Sequence, residues 1–130
     1  MSFKLDHRIE SSSHHLIDLE LCELRLVEDG DNPWFLLIPK IANIIDWQEL
    51  SLDKQFLLTK EIDYICHLLK KYTKPDKINV GSLGNMVPQM HVHIISRYKT
   101  DRAWPGAIWG TEPKKSFQKE EILNWKIRLS

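Results

Sequence analysis

His91 and His93 stand one residue apart in the run VPQMHVHIISRY, residues 87–98, of a chain that has only six histidines. The alternation Gln89, Met90, His91, Val92, His93, Ile94 has period 2, the spacing that sends successive side chains to opposite faces of a β-strand. Met90, Val92 and Ile94 then share one face, and Gln89, His91 and His93 share the other. Alternate residues of a strand lie ~6.5–7 Å apart along the backbone, close enough for two imidazoles to meet one small group of a ligand.

Three chemistries suit such a pair. In the plainest, each ring satisfies a neighbouring backbone group at the sheet surface. In the second, His91 and His93 supply two imidazoles to zinc, which then wants further protein ligands. His7, His14, His15 and His67 are distant in sequence, and no Cys or carboxylate lies at ligand spacing beside the strand. In the third, one neutral imidazole attacks phosphorus while the other protonates the departing atom, work that suits a side chain titrating near neutrality. The Gly-containing turn GSLGN, residues 81–85, leads into this strand and offers backbone N–H groups to phosphate oxygens.

The elements that must position the pair are readable from periodicity. LIDLELCELRLV, residues 16–27, places apolar residues at Ile17, Leu19 and Leu21, then at Cys22, Leu24 and Leu26, which reads as a strand with a bulge near residue 21. EDGDNP, residues 28–33, is a turn, and WFLLI, residues 34–38, is a short apolar strand stopped by Pro39. These two strands form a hairpin. Ser51 is an N-cap, and Leu58, Ile62, Ile65 and Leu69 make the apolar stripe of a helix that ends near Lys70 and Lys71, before Pro75. KINVGS, residues 77–82, is a further strand, residues 99–113 are a loop rich in Trp, Pro and Gly, and a last helix starts near Ser116 with Ile122, Trp125 and Leu129 on one side. This order predicts an α+β fold: an antiparallel sheet with the main helix packed on one face, a C-terminal helix, and the opposite face, with the histidines, left uncovered.

A length of 130 residues suits a single domain over residues 1–130. Lys plus Arg equals Asp plus Glu at 18 each, so no long-range field draws a nucleic acid duplex or an anionic membrane to the chain. No apolar run approaches the ~20 residues needed to span a bilayer, and the start MSFKLDHRIESSSHHL is too polar for a signal peptide; a cytoplasmic protein is expected. Cys22 and Cys66, far apart and in apolar surroundings, read as free thiols of a reducing compartment.

The histidine strand resembles the histidine triad family of nucleotide hydrolases and transferases, whose motif is His-φ-His-φ-His-φ-φ after a Gly-containing turn, φ being apolar. Here the run is Gln89-Met90-His91-Val92-His93-Ile94-Ile95 after Gly84-Asn85-Met86-Val87-Pro88. WFLLIPK (34–40) and INVGSLGN are also similar to the family's pattern, so the resemblance spans residues 16–98, and the AWPG and WG of the loop at Ala103–Gly106 and Trp109-Gly110 resemble a branch with Gln-x-His-x-His, commonly labelled a hydrolase. The resemblance implies a purine nucleotide substrate, a homodimer with a shared sheet and no cofactor. It makes His91 the nucleophile, forming a nucleotidyl-histidine at the α-phosphate of a dinucleoside polyphosphate or nucleoside phosphoramidate, with His93 contacting phosphate and assisting the leaving group. It places Asn85 near the phosphates and Asp29 at the ribose hydroxyls, with Asn79 and Trp109 among the substrate-binding residues. Asn85 as a left-handed turn residue and Asp29 as a plain turn residue stand beside those roles, and Arg97 and Arg102 are further phosphate candidates. The departure is Gln89 in place of the first histidine. Glutamine exchanges hydrogen bonds but carries no titrating proton, so positioning survives there, and a nucleotide-binding module with little catalysis stands as the alternative to an enzyme.

Overall fold

The structure is a computed structural model that describes residues 2–130. A short helix α1 (His7–Ser12) leads into strands β1 (Ser13–Asp18), β2 (Cys22–Val27) and β3 (Trp34–Pro39); a single 3-10 turn (Trp47–Glu49) and the long helix α2 (Leu52–Thr73) follow, then β4 (Lys77–Gly81), β5 (Val92–Arg97) and helix α3 (Glu120–Leu129). The strands form one sheet in the order β1-β2-β3-β5-β4, every neighbouring pair antiparallel. The α+β architecture expected from the order of elements is the one found.

Helix α2 forms where its signals lie. The Ser51 side chain accepts the Lys54 N–H at 3.3 Å, and Lys74 in the left-handed region, φ 47°, ends the helix just after Lys70 and Lys71. Leu58, Ile65 and Leu69 are fully buried against Leu24, Phe35, Leu37, Val92 and Ile94, the strand residues of one sheet face. Trp125 of α3 closes the end of this core, its ring edge-on to Phe35 at 4.9 Å.

Two expectations about the elements are corrected. Residues 16–27 are two paired strands, not one bulged strand: the phase slip between Leu21 and Cys22 is a hairpin turn, and the bulge lies earlier, between His15 and Ile17. The turn is held from afar, because the buried Glu61 of α2 accepts the N–H groups of Leu21 at 2.8 Å and Cys22 at 2.9 Å. Helix α3 begins at Glu120 rather than near Ser116, since Asp31 accepts the N–H groups of Lys114 and Lys115, each at 2.8 Å, and keeps that segment as loop. Gly30 sits beneath the same segment, where an added Cβ would lie 2.2 Å from the Lys115 carbonyl oxygen and 2.4 Å from that of Ser116. Gly30→Ala is therefore expected to destabilise the fold by about 1–3 kcal/mol, read as a fall in the denaturation midpoint at unchanged slope.

The sheet face opposite α2 is also covered, against the expectation that it lies open. Ile9, Trp34, Leu36, Ile38, Ile95 and Ile108 form a second buried cluster, with Phe3, Leu5 and Trp109 packed against it. The N-terminal segment and the Trp-rich loop thus fold across the face on which the histidines lie. Both cysteines are free, and burial pushes the Cys22 thiol far up, so it stays protonated and unreactive. Among the described residues no helix is long and apolar enough to cross a membrane.

Candidate active site

Strand β5 begins at Val92, so His93 stands on the strand and His91 just before it. The approach is irregular backbone tied to its neighbours: the Met90 N–H donates to the Ile44 carbonyl, and the Ser82 hydroxyl donates to the His91 carbonyl, both at 2.9 Å. The two rings meet, with centroids 5.0 Å apart. His91 is buried, 7% exposed, and His93 half-buried.

Elementary donor chemistry sets the tautomer of each ring. His91 Nδ1 lies 2.6 Å from the Gln89 carbonyl oxygen. A carbonyl only accepts, so Nδ1 carries the hydrogen and, in the neutral ring, Nε2 keeps its lone pair. His93 Nδ1 lies 3.0 Å from Trp34 Nε1. An indole N–H only donates, so this Nδ1 is the acceptor and the hydrogen of His93 sits on Nε2. The pair therefore presents one nucleophilic nitrogen, on His91, and one N–H donor, on His93. Burial foremost, then the charge of a protonated His91, hold the His93 pKa down to about 3, so His93 is neutral at physiological pH.

Trp109 forms the third wall. Its ring stands edge-on to His93 at 5.4 Å and to Trp34 at 6.4 Å. Gly81, paired with His93 across β4 and β5, makes room for it: a Cβ at Gly81 would lie 3.0 Å from the indole. The buried Trp109 Nε1 has no hydrogen-bond partner.

Trp34→Phe keeps an aromatic ring but removes the donor. The indole N–H then no longer holds His93 Nδ1 as the acceptor, so the neutral ring is expected to populate both tautomers, while burial and His91, which lower the pKa, remain. The change is checked by the 15N shifts of the ring, which report a hydrogen on Nε2 alone in the wild type and on either nitrogen in the variant.

The remaining candidates are placed elsewhere. Asp29, expected at the ribose, has its carboxylate in a buried ion pair with Arg102 at 2.8 Å and also accepts the N–H groups of Asp31 and Asn32; it is a turn residue with no free oxygen for a ligand. Asn79 Oδ1 accepts from Arg97 at 2.8 Å, so that side chain organises the sheet end. Arg97 and Arg102 are buried rather than phosphate-facing. Arg97 pairs with Asp101 and donates to the Gly106 carbonyl, and Arg102 pairs with Asp29 and Asp31. Asn85 is exposed on the turn before the strand, and the left-handed residue there is Gly84, φ 72°, not Asn85. Gln89 lies outside β5, and both ends of its amide are used: Oε1 accepts the Asp6 N–H and Nε2 donates to the Lys4 carbonyl, each at 2.8 Å. It clamps the N-terminal segment beside the histidines.

Sequence reasoning missed Trp34, Gly81 and Asp101. The alternation of β3 groups Trp34 with Leu36 and Ile38, but only the register that pairs Leu36 with His93 brings the indole to the imidazole.

The family profile of the HIT domain matches residues 8–100. A histidine triad protein of Sinorhizobium meliloti 1021 is 39% identical, superposes with a TM-score of 0.92, and is matched over 98% of this chain and 94% of its own. Histidine triad proteins of Bradyrhizobium japonicum and Marinobacter aquaeolei VT8 are 34% and 35% identical at a TM-score of 0.93, over 99% and 100% of this chain and 96% and 95% of theirs. No curated protein matches the chain. The chain belongs to the histidine triad family, a nucleotide-binding and hydrolase fold.

Proposed function

We propose that the protein is a nucleotide hydrolase or transferase that acts at the α-phosphate of a dinucleoside polyphosphate or nucleoside phosphoramidate through a covalent intermediate on His91. The observation that carries this reading is the His91 Nδ1–H bond to the Gln89 carbonyl, which leaves Nε2 as an unused lone pair beside the N–H of His93. In the first step Nε2 attacks phosphorus, the bond to the leaving group breaks, and a nucleotidyl-histidine forms. The N–H groups of His93 and Trp109 donate to phosphate oxygens as these gain charge, the kind of fixed donor that contributes about 10²–10³-fold in rate. In the second step water attacks phosphorus, the P–N bond breaks, and the nucleotide leaves with the water oxygen while a proton passes to solvent.

A purine nucleotide substrate and a cytoplasmic setting complete the reading, together with a homodimer joined at the β4 edge, where Val80, Leu83, Ile45 and Trp47 are exposed apolar residues. Zinc binding is not favoured. Among the described residues no three His, Cys, Asp or Glu side chains gather, and both Nδ1 atoms of the pair are engaged. The test is to mix the protein with diadenosine tetraphosphate, quench at alkaline pH, where a P–N bond survives, and map the adduct by mass spectrometry. An adenylyl group on His91 is the expected result; turnover without it, or an adduct elsewhere, rejects the mechanism.

A further inference from the structure

Resting on the reading of His91 as nucleophile, we infer that Gln89 is a positioning residue of this site and not the remnant of a lost catalytic one: its side chain ties the N-terminal segment to the approach of strand β5, and that tie aims the carbonyl that keeps His91 Nε2 bare. Putting a histidine at position 89 then impairs the site instead of repairing it.

The first support is the fit of the group. The Gln89 carboxamide donates from Nε2 to the Lys4 carbonyl and accepts the Asp6 N–H at Oε1, each at 2.8 Å. Those are the two main-chain groups that flank Leu5, and each needs a partner once the segment lies against the protein. A primary amide holds a donor and an acceptor side by side in one plane, which suits this pair. An imidazole does not. Its two nitrogens diverge across the ring, so it keeps one of the two bonds, and once protonated it only donates and meets the Asp6 N–H with an N–H of its own. The Arg8 guanidinium adds a second tie from the same end of the chain, donating to the Met86 carbonyl at 3.0 Å.

The second support is where the Gln89 main chain stands. Strand β4 ends at Gly81 and β5 begins at Val92, so residue 89 lies outside the sheet ladder. Among the described residues its N–H and carbonyl make no bond to another main chain, and the partner of the carbonyl is His91 Nδ1 at 2.6 Å. The direction of that carbonyl is fixed from two sides, by the bond of the Met90 N–H to the Ile44 carbonyl and by the Gln89 carboxamide. With the carboxamide released, the peptide turns, Nδ1 loses its acceptor, and the neutral His91 ring places its hydrogen on either nitrogen. A ring with that hydrogen on Nε2 has no lone pair there to offer phosphorus. The tied segment also bears on the second histidine: Phe3 and Leu5 pack against the buried cluster that contains Trp34, the donor to His93.

The test compares Gln89→His and Gln89→Leu with the wild type, using diadenosine tetraphosphate as substrate. Both variants are expected to lower kcat by about 10–100-fold, the scale on which a misplaced catalytic group acts, with KM little changed. The 15N shifts of the His91 ring, read without substrate, should report hydrogen on Nδ1 alone in the wild type and on either nitrogen in both variants, and the Asp6 N–H should lose its protection from hydrogen exchange. A second pair leaves Gln89 intact. Asp6→Pro and Asp6→Ala both remove the carboxylate that caps α1, but only proline removes the N–H, and Asp6 has a φ of −61°, which proline adopts. The ring shifts of Asp6→Pro should follow those of Gln89→Leu, and those of Asp6→Ala should stay with the wild type. Turnover by Gln89→His at or above the wild-type rate overturns the inference, as do wild-type ring shifts in Gln89→Leu or in Asp6→Pro. Wild-type protein that carries no adenylyl group on His91 removes the reading beneath, and the ring shifts, which need no substrate, then decide the tie by themselves.

Discussion

His91→Ala is expected to lower turnover of a nucleotide substrate by at least about 10³-fold, the scale on which removal of a covalent nucleophile acts. The reason is local. His91 Nε2 is the one lone pair of the histidine pair that is not already engaged, because the Gln89 carbonyl holds the hydrogen on His91 Nδ1 and the Trp34 N–H occupies His93 Nδ1. Nothing adjacent can substitute: His93 presents an N–H rather than a lone pair, and the Gln89 amide is bonded to the N-terminal segment. The variant should still fold. It loses one hydrogen bond and leaves one carbonyl unpaired, at a cost of about 1–3 kcal/mol, which most domains of this size survive. Steady-state kinetics beside a denaturation curve separate the two effects, and a folded variant with near-normal turnover would remove His91 from the mechanism.

The largest effect on stability is expected from Asp101→Asn, about 3–5 kcal/mol. Asp101 is 3% exposed and accepts six hydrogen bonds: two from Arg97, one from Asn32, and one each from the N–H groups of Tyr98, Ala103 and Trp104. Neutralising it leaves the guanidinium of Arg97, itself 2% exposed, without a counter-charge. The same carboxylate shapes the loop that carries Trp109 onto His93, so activity should fall with stability. The pH dependence follows from the sign of the shift. The Arg97 guanidinium, ahead of the other donors, holds the Asp101 carboxyl well below its ordinary 3.8, so its stabilisation is fully present above pH ~4 and is lost as pH falls below that value. The wild type should lose this contribution on acidification, whereas Asp101→Asn should show a flatter profile there. Urea midpoints at pH 7, 4 and 3 check both the size and the slope.

Much of the fold was legible because its signals are local and periodic. Leu58, Ile62, Ile65 and Leu69 mark the α2 stripe and Ser51 its cap, and Val92 and Ile94 alternate with His93 as a strand demands. The same alternation assigned His91 and His93 to one face. What escaped was held by distant partners. The hairpin between β1 and β2 depends on Glu61, some 40 residues away, and reads as a bulge without it. Asp29 is a plausible ribose ligand until Arg102 arrives from 73 residues along the chain to pair with it. Arg97 and Arg102 look like phosphate ligands in the sequence and are interior ion-pair residues in the fold.

Gln89 marks the division most sharply. By residue type alone it is a lost histidine that can no longer hold a titrating proton. In three dimensions it is a clamp on Lys4 and Asp6, 85 and 83 residues earlier, whose carbonyl also sets the His91 tautomer. Which residue types share a face follows from the alternation along the chain, since the strand period is a property of the backbone. Which ring nitrogen carries a hydrogen and which charge is already neutralised emerge on folding alone, because they depend on hydrogen-bond partners that distant segments bring together.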